Sequence, residues 1–205
     1  APVQSYADLF DKELVVGGTG PGSALVDYPE MERHILGVKL KLIAGYKGSA
    51  EVSLAIQRNE VQGVCGLLWS SAKQQYPDAM KQDGPYKVLV QQDTKSLPLL
   101  QQAGVPLSYS FAKNEQQRQA MEVFLQQGSI SRPFFLPPGV APDRVTILRK
   151  AFEDVLKDPE LQAEAVKSGL DTLAQGGDEV QKLIERLYAA SPDVIAFLRK
   201  GVAKP

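Results

Sequence analysis

The sequence is poor in the residues that build catalytic and metal centres. Its 205 residues include one histidine and one cysteine. Cys65 alone cannot form an internal disulfide framework, and with His34 as the only imidazole a site of His and Cys ligands within one chain is excluded. No serine stands in the G-x-S-x-G pattern of hydrolase nucleophiles. We therefore predict a protein that is not an enzyme and that has no cofactor and no metal.

The chain also lacks a large net charge and a long apolar run. Its 23 basic residues are interspersed with 24 acidic ones, which leaves a net charge of −1. Because nucleic-acid binding needs clustered Lys and Arg, we exclude that class. No apolar stretch approaches the about 20 residues that cross a bilayer, and the first residues lack the features of a signal peptide. With 43% hydrophobic and 23% charged residues, the composition is that of a folded globular protein.

The apolar pattern alternates between short runs and helix-spaced segments. This alternation predicts βαβ units and a mostly parallel sheet. Further on, the spacing changes to that of amphipathic helices alone, so the fold class is α/β with added C-terminal helices. The predicted strands are 13–16, 38–43, 63–68 and 86–90; the predicted helices are 23–35, 49–58, 70–81, 113–127, one from 142, one from 178, and 192–200.

A glycine-rich turn between the first strand and its helix is the most informative motif. It reads Gly17-Gly18-Thr19-Gly20-Pro21-Gly22-Ser23. Glycines let a ligand approach the backbone, and a helix start offers unpaired N–H groups and the positive end of the helix dipole. We predict that Thr19, Gly20, Gly22 and Ser23 bind an anion, with Ser23 also as helix cap. A tight turn without a ligand is the alternative.

Two nucleotide-binding motifs do not fit this turn. In the dinucleotide fingerprint G-x-G-x-x-G/A, Gly18 and Gly20 would be the first two glycines. The third position must be Gly or Ala, but Ser23 occupies it. The acidic residue expected after the second strand is also missing. A P-loop would end in Gly-Lys-Ser/Thr, which the turn does not. A bare carboxylate is therefore the preferred ligand.

Two later turns repeat the arrangement. In the second, Gly45-Tyr46-Lys47-Gly48-Ser49, we predict that Ser49 caps the next helix and contacts the ligand. The third brings Trp69 and Ser70, which we also assign to the site; packing is the alternative for Trp69. Because the carboxyl ends of parallel strands share one edge, all three turns are expected to face one crevice.

Five motifs occur in a fixed order over nearly the whole chain. They are Gly18-Thr19-Gly20-x-Gly22-Ser23, Gly45-Tyr46-Lys47-Gly48-Ser49-x-Glu51, Trp69-Ser70-Ser71-x-Lys73, Arg132-x-Phe134-x-x-Pro137-Pro138-Gly139-Val140 and Arg144-Val145-x-x-Leu148-Arg149-x-Ala151-Phe152. In this order the chain resembles the extracytoplasmic solute receptors of the tripartite tricarboxylate transporters, the TctC or Bug family.

The resemblance implies a periplasmic-binding-protein-like fold of the type II Venus-flytrap kind, in which two α/β domains enclose a cleft. It implies that a small carboxylate or its amide binds there through backbone amides, and that the protein is periplasmic and passes its ligand to transporter membrane subunits. Residues 1–131 would correspond to the family's second domain. Residues 132–205 would be the crossover, starting at Arg132, and helices of the first domain.

The chain departs from the family because most of the first domain has no counterpart in it. We therefore expect apolar helix faces after residue 140 to be exposed and to cause self-association. Two other hypotheses remain open. One is a small α/β enzyme acting on carboxylates or phosphates, with Asp27 or Glu30 as its acid or base. The other is a ligand-sensing interaction domain with an empty cleft.

Overall fold

The computed structural model describes residues 2–81, 83–130, 133–170 and 175–201. Strands and helices alternate in the first part and helices follow. The strands are β1 (Leu14–Gly17), β2 (Leu40–Ile43) and β3 (Gly63–Val64). The helices are α1 (Ala24–Leu36), α2 (Ser49–Gln57), α3 (Trp69–Gln75), α4 (Pro98–Gln102), α5 (Glu115–Gln126), α6 (Pro142–Leu156), α7 (Pro159–Lys167), α8 (Gly177–Tyr188) and α9 (Pro192–Gly201). Short 3₁₀ helices span Tyr6–Phe10, Ser108–Phe111 and Gln127–Ile130.

The sheet is small, open and parallel. Its order is β2-β1-β3, with Leu14 opposite Leu40 and Val16 opposite Gly63. The α/β class and the parallel sheet are thereby confirmed. The alternation of Val38, Leu40 and Leu42 with Lys39 and Lys41 predicts a half-exposed or edge strand, and β2 does lie at an edge of the sheet, with Leu40 buried and Lys41 exposed.

The strand predicted at 86–90 is wrong. At this place only Gln91 forms an isolated bridge, with Leu107. The partner segment cannot extend the pairing, because Pro106 has no N–H and a 3₁₀ helix begins at Ser108. The third strand is shorter than predicted because Gly66 turns the chain with a φ of 79°.

The two ends and the buried face of α1 explain why this segment is helical. Ser23 occupies the N-cap position with extended backbone, and Gly37 ends the helix in the left-handed region at φ 77°. The buried side chains recur at helical spacing and include one charged residue. They are Leu25, Val26, Pro29, Met31, Glu32, Ile35 and Leu36.

The predicted helix at 70–81 is also shorter, since α3 ends at Gln75. Pro77 explains the end, because a proline disfavours the helical conformation of the residue before it, here Tyr76. Helix α8 begins at Gly177, next to the predicted start at Asp178.

Contacts divide the chain into two compact units, residues 1–126 with 190–205, and residues 127–189. In the first unit, α1, α5 and α9 pack together beside the sheet. The members of its core with no more than 2% exposure are Tyr6, Leu9, Val16, Ile35, Leu36, Ala120, Met121 and Leu125. The assignment of 1–131 and 132–205 to two family domains stays a prediction, and Arg132 lies outside the described residues.

The second unit consists of α6, α7 and α8 with the segment that precedes them. Arg149 of α6 holds Asp178 of α8 in an ion pair at 2.5 Å. Many of its large apolar side chains are exposed: Phe134, Phe135, Ile147, Leu148, Val155, Val166, Leu170 and Tyr188. No helix in the described ranges is long and apolar enough to cross a bilayer.

Candidate functional site

The first two glycine turns are joined directly at the carboxyl edge of the sheet. The N–H of Gly45 donates to the carbonyl of Thr19 at 3.0 Å, and that of Tyr46 to the carbonyl of Gly18 at 3.2 Å. Because β1 and β2 are parallel, both turns leave the sheet at the same edge. The first two turns therefore lie side by side, as predicted.

The glycines of the first turn divide into two pairs. Gly17 and Gly18 are buried, and a Cβ at Gly18 would lie 2.6 Å from Leu42 and 2.8 Å from the carbonyl oxygen of Leu25. Their role is close packing of strand against helix. A Cβ at Gly20 or Gly22 would meet nothing within 4 Å among the described residues. These two glycines therefore leave the outer part of the turn open to a ligand.

The hydroxyls of the turn bond to each other. Thr19 Oγ1 donates to Ser23 Oγ at 2.6 Å. Ser23 is the N-cap residue by position, as predicted, but its side chain makes no capping bond to the helix backbone. In the described part of the chain the N–H groups of Gly20 and Ala24 have no hydrogen-bond partner. The turn thus presents donors that an acceptor group could use.

A carboxylate of the protein itself lies at this turn. Asp27, in the first turn of α1, is partly buried and lies close enough to the N–H of Gly22 for that group to affect its carboxyl. Burial raises the pKa of the Asp27 carboxyl, and the Gly22 N–H opposes part of that rise. An anionic ligand would meet this like charge, whereas a ligand N–H would find an acceptor.

The second turn differs from the prediction in its capping residue. Gly48 is the N-cap of α2 and Ser49 is its first helical residue, so the assignment of Ser49 as the cap is wrong. Gly48 has fully extended backbone, and Ser49 Oγ accepts from Gln75 Nε2 at 2.9 Å. The N–H of Lys47 donates to the Glu51 carboxylate at 2.7 Å. The hydroxyl of Ser49 thus joins the second turn to α3.

The third turn packs against the start of α1. A Cβ at Gly66 would overlap the Ala24 carbonyl oxygen and would lie 3.0 Å from Tyr28 Cβ. Trp69 and Ser70 begin α3 and are both partly buried. Within the described residues their side chains form no hydrogen bond to the other two turns. Whether they contact a ligand stays a prediction.

A buried polar cluster below the third turn is a feature that the sequence pattern did not predict. Glu32 of α1 is 1% exposed, and its Oε2 accepts from the Tyr6 hydroxyl at 3.0 Å. Burial raises the pKa of the Glu32 carboxyl, and interactions with Gln92, Tyr6 and Ser108 oppose the rise. Gln92 links this carboxyl to the turn, because its Oε1 accepts from the Gly66 N–H at 2.8 Å.

The remaining candidates for catalysis are engaged elsewhere. Glu30 holds Arg33 through both carboxylate oxygens, at 2.8 and 3.0 Å. The position of His34 at a helix end predicts a surface residue, but it is partly buried because Phe197 of α9 stacks on its ring at 4.6 Å. Its Nε2–H donates to the Phe197 carbonyl at 2.8 Å. Among the described residues no group of His, Cys, Asp and Glu side chains is placed to hold a metal ion.

Cys65 packs against the hydrophobic core, as expected for a free thiol in an apolar run. Its sulfur accepts from Gln92 Nε2 at 3.0 Å. The pKa of the thiol is raised well above its ordinary value. Burial is the larger cause, and the nearby Glu32 carboxyl is the second. Cys65 therefore contributes to the packing of this region.

Comparison of the chain with protein-family models, with curated proteins and with solved structures finds no match. The resemblance drawn from the ordered motifs accordingly stays a prediction.

Proposed function

We propose that this chain binds a small carboxylate or its amide at the three turns, as an extracytoplasmic receptor for a tripartite tricarboxylate-type transporter. In this role it acts without catalysis, in the periplasm, and passes the ligand to the membrane subunits of the transporter. The periplasmic-binding-protein-like fold is part of the same proposal.

The observation that carries the binding proposal is the joined pair of glycine turns. Backbone bonds from Gly45 and Tyr46 fix the second turn to the first, so its open face is held before a ligand arrives. A preformed site avoids the entropy of ordering loops during binding. The open glycines and the unpaired N–H groups of Gly20 and Ala24 supply the space and the donors that a carboxylate or carbonyl oxygen requires.

Asp27 favours a particular member of this ligand class. Its carboxylate lies at the same turn, near the Gly22 N–H. A simple carboxylate would experience its charge, whereas an amide offers both a carbonyl oxygen to the free N–H groups and an N–H to Asp27. We therefore expect amides, or carboxylates that carry an amide group, to bind more tightly than the plain acids.

The proposal is tested by ligand screening of the wild-type chain and a Gly20→Val variant. A ligand at 100 times its Kd stabilises the fold by about 2.7 kcal/mol, which a thermal-shift screen of small mono-, di- and tricarboxylates and their amides detects. Gly20 lies outside the left-handed region, and its Cβ would point into open space. The variant should keep the unfolding midpoint of the wild type and lose affinity about tenfold or more.

The matched control is Ala196→Val, which adds the same kind of side chain at an exposed position of α9. It should keep wild-type affinity. Gly22 is a poorer test, because its φ of 78° would add backbone strain to any effect on binding. A folded chain that binds none of these compounds, or a Gly20→Val variant with unchanged affinity, would refute the proposal.

A further inference from the structure

Three segments that are distant in sequence meet at the side chain of Glu32. Tyr6, in the first 3₁₀ helix, donates its hydroxyl proton to Oε2. Ser108, at the start of the second 3₁₀ helix, is fully buried beside the carboxyl, and the Gln92 amide approaches from the segment before α4. Through Gln92 the cluster reaches the backbone of Gly66 and the sulfur of Cys65. One carboxyl therefore joins the first two 3₁₀ helices and the third turn to α1.

The ionisable groups around this carboxyl are themselves acids. Tyr6 faces it from the first 3₁₀ helix, Tyr28 from the preceding turn of α1, and Cys65 from the chain after β3. Asp93 acts on Tyr28, and burial together with the acidic neighbours Asp93, Cys65 and Glu32 raises the pKa of Tyr28 to about 12. Among the described residues no cation acts on the Glu32 carboxyl.

Two oxygen atoms in the cluster lack a hydrogen bond of ordinary geometry. They are Glu32 Oε1 and Ser108 Oγ, both buried, although Ser108 lies close enough to affect the carboxyl. An ionised Glu32 would leave an uncompensated charge in the protein interior, which is far more costly than a neutral polar group. A protonated Glu32 has a hydroxyl that can donate to Ser108 Oγ, while Oε2 still accepts from Tyr6.

We propose that the folded protein holds the buried Glu32 carboxyl in its protonated form above the pH at which a free glutamate ionises, and that this carboxyl serves as a pH-sensitive latch between α1, the first two 3₁₀ helices and the third turn. At low pH the neutral carboxyl closes the cluster. When the pH rises far enough to remove the proton, the buried charge has no counter-ion and draws water or donors toward it. The contacts of Tyr6, Ser108 and Gln92 with α1 then loosen. This inference concerns the fold and does not depend on the proposed ligand.

The direction of the pH dependence follows from proton linkage. Burial places the pKa of Glu32 in the folded chain above its ordinary value of 4.5, so the folded state holds a proton that the unfolded state has lost. The stabilisation is therefore complete below the ordinary pKa and is lost as the pH rises through the raised one. Between the two values the equilibrium constant for folding falls about tenfold for each pH unit.

The experiment compares urea unfolding of the wild type and of Glu32→Gln across this pH range. Glutamine has the same shape as the neutral acid but cannot ionise, so the tenfold fall per pH unit should disappear in the variant. The control Glu122→Gln removes an exposed carboxyl of α5 and should keep the wild-type pH profile. A Glu32→Gln profile parallel to that of the wild type would overturn the proposal.

A second variant and a direct measurement keep the proposal testable if the Glu32→Gln variant does not fold. Tyr6→Phe removes a donor that favours the ionised form, so the stability loss should extend to higher pH. The titration of Glu32 itself is followed in the wild type by the ¹³C chemical shift of its carboxyl carbon. A carboxyl that titrates at its ordinary pKa, or a Tyr6→Phe profile that does not move, would refute the latch.

Discussion

Replacing Gly66 by alanine should destabilise the first unit more than the same change at Gly37 or Gly20. At φ 79° an alanine incurs left-handed strain of about 1–2 kcal/mol. Its Cβ would also overlap the carbonyl group of Ala24, and overpacking of this kind costs about 1–3 kcal/mol. Alanine also lowers the conformational entropy of the unfolded chain, which stabilises the folded state by about 0.4–1 kcal/mol. The expected net loss is about 1–4.5 kcal/mol.

The other two glycines separate these contributions. Gly37 has φ 77°, but its added Cβ would meet nothing within 4 Å among the described residues, so Gly37→Ala should cost only about 1 kcal/mol. Gly20 has neither the positive φ nor a neighbour, so Gly20→Ala should be neutral or stabilising by up to about 1 kcal/mol. The series isolates backbone strain from the collision with α1.

Urea unfolding followed by the fluorescence of Trp69 measures this series within the first unit. Trp69 is the only tryptophan, is partly buried and follows Gly66 closely in the chain. The midpoint multiplied by the common slope gives each free energy of unfolding. If Gly66→Ala proves no more costly than Gly37→Ala, the close approach of the third turn to Ala24 is refuted.

Two further changes test the charge at the first turn and the exposed helix faces. Asp27→Asn removes a like charge beside the binding turn, so calorimetry should show plain carboxylates binding about fivefold more tightly; unchanged affinity would place the ligand elsewhere. The apolar side chains exposed on α6 should cause self-association, so light scattering should give a mass above that of the 22.3 kDa chain. Ile147→Lys should lower that mass and Thr146→Lys should not, whereas a monomeric wild type would contradict the prediction.

The parallel βαβ arrangement could be predicted because it depends on local patterns. Each of the first two strands is a short apolar run followed by glycines and a helix-spaced segment, and the side chains of Leu40 and Lys41 alternate as those of an edge strand do. The segment at 86–90 has a similar apolar pattern yet forms no strand. Its partner is interrupted at Pro106, and a local pattern contains no information about the partner.

The joining of the first two turns could be predicted, but the hydrogen bonds of their side chains could not. Parallel strands place their following turns at one edge, so the meeting of the turns at Thr19 and Gly45 follows from topology. The bonds that occupy Thr19, Ser23 and Ser49 depend on side-chain geometry instead. Serine at a helix start is a frequent cap, but here each hydroxyl bonds another side chain and makes no capping bond to the helix backbone.

Glu32 is a residue for which the sequence contains a signal that is ambiguous by itself. It follows Leu25 and Pro29 and precedes Leu36 at the spacing of one buried helix face. A single acid within such a stripe indicates either a helix face open to water or a buried acid with specific partners. The partners decide between these two cases, and neither Tyr6 nor Ser108 is close in sequence. Only the fold brings their hydroxyls to the carboxyl, and the acids that surround it in the described part of the chain favour the protonated form that we propose.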